Sequence, residues 1–96
     1  MTTHQVKSWP EFFGPISHNM KPFDLRIDDR GYTVGDKVQF EEFRPGVGEY
    51  TGAVTQRRIT FILRNFDGLM PGYCILGLVT MEDRTWNEFT SRRAGP

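Results

Sequence analysis

The chain has 96 residues, with 12 basic and 12 acidic side chains, a formal net charge of zero and one cysteine. That length allows one domain with a single modest core. The balanced charge excludes the sequence-independent grip on nucleic acid that excess Lys and Arg provide, so any such role requires a local basic face. Cys74 is alone, so there is no internal disulfide. The N-terminal residues lack a signal-like apolar run and nothing is long enough to span a bilayer, so the expectation is a soluble cytoplasmic protein with no membrane partner.

In chain order, Gln5 to Trp9 is expected as a first strand. A short helix follows through Pro10-Glu11-Phe12-Phe13, with Ser8 as its cap and Gly14-Pro15 limiting it. Phe23 to Ile27 is a second strand, in which Phe23, Leu25 and Ile27 alternate with Asp24 and Arg26. Such alternation buries the apolar set and presents the charged set on the other face. Gly35-Asp36 turns the chain into a third strand, Lys37 to Arg44, with Val38 and Phe40 on one side. Pro45 to Gly48 is a loop between antiparallel strands. A fourth strand, Val54 to Leu63, sets Ile59, Phe61 and Leu63 against Arg58 and Thr60. After a loop from Phe66 to Gly72, Tyr73 to Val79 is a fifth, apolar strand in which Cys74, Leu76 and Leu78 line the core. Glu82 to Pro96 is polar and reads as one or two helical turns carrying Trp86 and Phe89, then a disordered end. The expected organisation is a mainly β (α+β) barrel or rolled sheet of about five strands over residues 1–81, with a tail over 82–96.

The stretch from Lys21 to Asp36 gathers one lysine, two arginines and several carboxylates around the second strand. Lys21, Asp24, Arg26 and Arg30 are the candidate ligand-binding set. Guanidinium and ammonium groups beside a carboxylate can hold a phosphate or a base edge. The bland alternative is ordinary ion pairing on a solvated sheet face, contributing about 0–1 kcal/mol per pair. Arg57, Arg58 and Arg64 form a second basic group. With Lys7 and Lys21 they would make an electropositive face for a phosphate backbone, with Tyr32, Tyr50 or Tyr73 as stacking platforms. Asp36 reads as a turn residue, with Arg30 as its partner or reaching into the cleft. His4 reads as a surface histidine. His4, His18 and Cys74 match no ligand spacing, so no metal and no cofactor are expected.

The run Asn19-Met20-Lys21-Pro22-Phe23-Asp24-Leu25-Arg26 resembles the G-x-K-x-x-E-x-R signature of ASCH domains, which share the PUA-like barrel. Further segments resemble a small phage and bacterial ASCH-like subfamily of uncharacterised function: His4 to Lys7, Pro10 to Phe13, Asp29 to Asp36, Glu42-Phe43, Glu49 to Gly52 and Gly72 to Gly77. The resemblance covers about residues 4–79. It implies a PUA-like barrel and an association with RNA or a nucleotide, and makes Lys21 and Asp24 the candidate catalytic pair of an amidohydrolase or ribonuclease-like enzyme. Two positions depart from the signature: Asn19 replaces the glycine and Asp24 the glutamate. In the branch that hydrolyses N4-acetylcytidine, the lysine corresponds to Lys21 but the threonine falls at Asp24, which carries no hydroxyl nucleophile. The leading expectation is therefore an RNA- or nucleotide-binding module, with a hydrolase of modified nucleosides or RNA as the alternative. A third is a phage–host interaction module whose protein partner docks on Trp86 and Phe89 in the tail.

Overall fold

The computed structural model describes residues 1–94. Its elements are β1 (Thr3–Ser8), α1 (Pro10–Ser17), β2 (Phe23–Ile27), β3 (Lys37–Arg44), β4 (Glu49–Leu63), β5 (Tyr73–Val79) and α2 (Arg84–Ala94). The strands form one mixed sheet in the order β1-β3-β4-β5-β2. β1 runs parallel to β3 and every other neighbouring pair is antiparallel. The two edge strands, β1 and β2, consequently run in opposite directions.

The expected barrel is in fact an open roll. No backbone ladder joins β1 to β2; arginine side chains from β2 and from the segment after it reach β1 instead. Arg26 Nη1 donates to the Lys7 carbonyl at 3.5 Å and Arg30 Nη1 to the Gln5 carbonyl at 3.1 Å. The cause lies in which way β2 faces. Asp24 pairs with Leu76 and Arg26 with Cys74, and both of those partners are fully buried. Cross-strand partners share a face, so Asp24 and Arg26 point into the roll. Phe23, Leu25 and Ile27 point out, at 48%, 55% and 54% exposure. This reverses the orientation expected from the sequence. Ionic side chains aimed inward are costly to bury unpaired, and Asp24 is paired with both Lys21 and Arg26.

Inside the roll, Val6, Val38, Phe40, Ile59, Cys74, Leu76 and Leu78 form the core, closed at one end by Phe13 and Ile16 of α1. The Cys74 thiol is a core group, its pKa raised chiefly by burial. α1 runs through Gly14 and Pro15 to Ser17, further than expected. Trp9 rather than Ser8 occupies the cap position, without a side-chain cap bond. Arg57 compensates at the other end: its Nη2 donates to the carbonyls of Ile16 at 2.8 Å and Ser17 at 3.2 Å, and to Asn19 Oδ1 at 2.9 Å. These carbonyls belong to the last turn, which has no intrahelical donors for them.

β4 does not keep a single alternation. A register shift between Ile59 and Phe61 leaves Ile59 buried and turns Phe61 outward. One extra residue in a bulge flips everything beyond it. Gly77 lies opposite, where a Cβ would stand 3.3 Å from both Phe61 Cβ and Thr60 Oγ1. Beyond the roll, the β3–β4 hairpin extends as a largely exposed arm, and the molecule measures 52 × 31 × 23 Å. α2 lies beside Thr60 and Val79 through Trp86 and Phe89. The disordered end expected of the tail falls at residues 95–96, outside the described residues. No helix among the described residues is long and apolar enough to cross a membrane.

Candidate functional site

The turn between α1 and β2 sets up the site. Asn19 takes φ 60°, the left-handed region that asparagine tolerates better than most residues. The amides of Met20 and Lys21 then both bond back to the Pro15 carbonyl, at 2.8 and 3.1 Å. That fold-back aims Lys21 toward the strand that follows. Lys21 Nζ meets Asp24 Oδ1 at 2.9 Å, and Arg26 Nη1 meets Asp24 Oδ2 at 2.9 Å. One buried carboxylate therefore bridges two half-buried cations, and both of its oxygens are engaged. Two aromatic rings flank the ammonium, Phe12 at 5.3 Å and Phe23 at 5.2 Å from their centroids. Cation–π contacts of this kind restrain a lysine that would otherwise be free to swing.

Asp24 and Arg26 of this cluster face a trough along the seam, with Lys21 behind them. One end is a depression of about 220 Å³ between Trp9 and Phe12 on one wall and Asp24 and Arg26 on the other, with Lys7 and Ser8 closing it. The other end, about 540 Å³, is bounded by Trp9, Arg26, Asp29, Arg30 and Tyr73. Trp9 and Arg26 border both, so the two ends adjoin. The Trp9 and Phe12 rings lie 27° from parallel with centroids 6.4 Å apart, each nearly half exposed. The trough thus combines flat apolar surface, three cations (Lys7, Arg26, Arg30) and two carboxylates (Asp24, Asp29). Such a surface suits a planar, anionic guest.

Of the candidate ligand set, Lys21, Asp24 and Arg26 form one connected cluster and Arg30 stands further along the same trough. Arg30 does not partner Asp36; it reaches Gln5 and comes within 4.0 Å of Asp29. The second basic group is not brought together. Arg57 is tied to the end of α1, Arg58 donates to the Gly35 carbonyl at 2.8 Å, and Arg64 pairs with Asp28 and donates to the Tyr32 carbonyl. Burial lowers the Arg57 pKa from its ordinary value, with Glu82 opposing. Lys7 lies over the Phe43 ring at 4.4 Å, and Tyr73 lines the trough. Tyr32 is no stacking platform, since it is buried in the core with its ring 4.7 Å from that of His4.

His4 also departs from expectation. It is buried, and its Nε2 donates to Asp36 Oδ2 at 2.9 Å. Asp36 further accepts from the amides of Thr2 at 3.2 Å and Thr33 at 3.1 Å. Burial is the largest influence on the Asp36 carboxyl and alone would raise its pKa. The His4 bond and the two amide bonds together hold it below the ordinary carboxylate value. Among the described residues, no three His, Cys, Asp or Glu side chains converge as a metal would require.

Sequence reasoning passed over Trp9 and Phe12 as site residues. The available signal was an aromatic excess: an eight-residue helix that buries Phe13 and Ile16 has no inner face left for Phe12. A second hollow, about 180 Å³, lies behind Lys21 against Asn19, Arg57 and Leu78. Its guanidinium already serves α1, which makes the seam the better candidate.

The fold and the trough together define a small α+β domain: an open five-stranded roll with a charged, aromatic-walled seam. The chain matches the family described as Domain of unknown function (DUF3850) over residues 3–78, a span that takes in most of the chain, and it belongs to that family. The match begins at the first residue of β1 and ends one residue before the end of β5, so it takes in the roll and leaves out α2. No curated protein matches the chain.

Proposed function

We propose that this protein is an RNA- or nucleotide-binding module of the ASCH and PUA-like kind, with its ligand seated in the seam between β1 and β2. The observation that carries the reading is the Lys21–Asp24–Arg26 cluster, turned inward against a wall of exposed aromatic rings. Trp9 and Phe12 offer faces for a base. Asp24 keeps acceptor capacity for an exocyclic amine while orienting two cations toward phosphate or carbonyl oxygens. The left-handed Asn19, at the position where the ASCH signature carries glycine, supports the same assignment. In this reading the roll is a PUA-like barrel left open along one seam, and the opening is the site.

Binding is favoured over hydrolysis because both Asp24 oxygens already accept from cations, which leaves the carboxylate ill-placed as a free base. A role for the tail as a partner's anchor is less favoured, since Trp86 sits against the roll beside Gly35 and Thr60. The test is an amide NMR titration with nucleosides and short RNAs on the wild type and on Lys21→Ala. Shifts should cluster over residues 7–12 and 21–30 and weaken in the variant. If no seam amide moves at millimolar ligand, the reading fails.

A further inference from the structure

The outward face of the sheet carries apolar surface that neither the core nor the seam accounts for. The strand registers place Phe61, Gly77 and Phe23 side by side across β4, β5 and β2, with Leu63, Ile75 and Leu25 in the next row. Ile27 beside Tyr73 extends the face by one more row on two strands. Cross-strand partners share a face, and the alternate positions on β5, Cys74 and Leu76, are the buried ones. No side chain in these rows is charged. Phe61 is 62% exposed, and Phe23, Leu25 and Ile27 are about half exposed. α2 reaches this face only at its Val79 end. Those four side chains alone leave on the order of 400 Å² of apolar surface open, given ~150–250 Å² for a whole aromatic side chain. A homodimer contact of standard size takes about 800 Å² from each partner, roughly two-thirds of it apolar. With the partly exposed Leu63, Ile75 and Tyr73 added, the face supplies about the apolar area that such a contact needs.

We propose that this outward face of β4, β5 and β2 is the contact surface of a two-fold symmetric homodimer, stacked sheet on sheet. The contact does not depend on the nucleotide reading of the seam. Relief across the face makes it self-complementary. Gly77 leaves a notch between the Phe61 and Phe23 positions, and Ile75 stands next to that notch along β5. A two-fold axis lying in the interface and crossing β5 at Leu76 exchanges the two rows. It seats Ile75 over the partner's Gly77, and sets Phe61 and Phe23 against the partner's Leu63 and Leu25. An isologous contact makes each of these fits twice, and sheets stacked face to face interdigitate their side chains in this way. Charge does not oppose the pairing: the chain is neutral, and Arg64 and Asp28, which follow β4 and β2, pair with each other. A charged partner finds nothing on this face to bond, whereas a second copy matches it row for row. Without polar anchors, such a face gives association in the micromolar range. Each protomer keeps its own core, so unfolding in dilute solution reads the monomer.

The experiment is sedimentation velocity with amide NMR on the full chain, from about 1 μM to about 500 μM. The mass should rise from 11.1 kDa toward twice that value, and the amides that shift on dilution should fall in residues 23–27, 61–63 and 73–77. Phe61→Glu and Leu25→Glu each bury an unpaired charge in the stacked face and should weaken association about a hundredfold. Both positions are exposed in the monomer, so the dilute melting temperature should move by less than about 4 °C. Val47→Glu, as exposed but on the β3–β4 loop, should change association by less than about threefold. A chain still monomeric at about 500 μM overturns the proposal. A dimer that persists in both face variants, or that Val47→Glu weakens as much, uses another surface and overturns it too. If the chain stays monomeric and the face amides shift on adding phosphatidylcholine vesicles, a lipid surface is the occupant and the homodimer is excluded.

Discussion

Asp24 and Asp36 are equally buried, at 6% exposure each, yet they sit in opposite kinds of surroundings. Asp36 is held by the His4 ring and two backbone amides, groups whose positions are set by the fold itself. Asp24 is held by the tips of two long cationic side chains at the wall of an open trough. The first arrangement ties the start of β1 to the turn before β3 and leaves no approach for a guest. The second places paired charge at the wall of an open hollow. Burial alone does not separate the two carboxylates; what separates them is that one of them lines an open hollow.

The largest expected effect is at Asp36. Asp36→Ala leaves His4 and two amides without an acceptor and should cost about 3 kcal/mol in chemical unfolding. The same pair gives a pH signature. The folded pKa of Asp36 lies below its unfolded value, so its contribution is complete above about pH 4 and is lost as pH falls through the folded value. Asp36→Asn should therefore show a flatter loss of stability than the wild type below about pH 4. An unchanged acid profile in that variant would break the comparison on its structural side.

Asp24→Asn should cost less stability, about 1 kcal/mol, because Lys21 and Arg26 are already partly exposed to water. Its larger consequence is in binding, where loss of the bridging charge should weaken nucleotide affinity about tenfold. A stability loss equal to that of Asp36→Ala, with binding intact, would make the two carboxylates alike and remove the functional reading.

The smallest effect concerns the face of β2. Leu25→Thr should change stability by no more than about 0.5 kcal/mol, since Leu25 points outward. Were Leu25 a core residue, as its alternation with charge led one to expect, the cost would be about 2–3 kcal/mol. Unfolding of this one variant separates the two orientations.

That contrast shows what could be read from the chain. The bounds of β2, β3 and β5 were legible because apolar alternation there ends at Pro, Gly or Asp punctuation. The Lys21–Asp24–Arg26 cluster was legible because spacings of three and two bring its members together locally. Alternation reveals that a strand has two faces but not which of them the sheet curls around. For β2 the curl is set by its register with Leu76 and Cys74, a long-range pairing. The inserted residue near Thr60 leaves no local mark either, so Phe61 was assigned to the wrong side. The scattering of Arg57, Arg58 and Arg64 has the same origin: each finds a backbone carbonyl supplied by a distant segment. His4 could not be recognised as buried before β1 and β3 were paired.

The most direct test of the seam as a ligand site is a crystal structure of the protein grown with saturating uridine 5′-monophosphate. Density is expected in the trough, with the ring against Trp9 or Phe12 and an oxygen within hydrogen-bond distance of Arg26 or Arg30. A well-resolved seam left empty at that concentration, or the nucleotide ordered elsewhere on the roll, would contradict it.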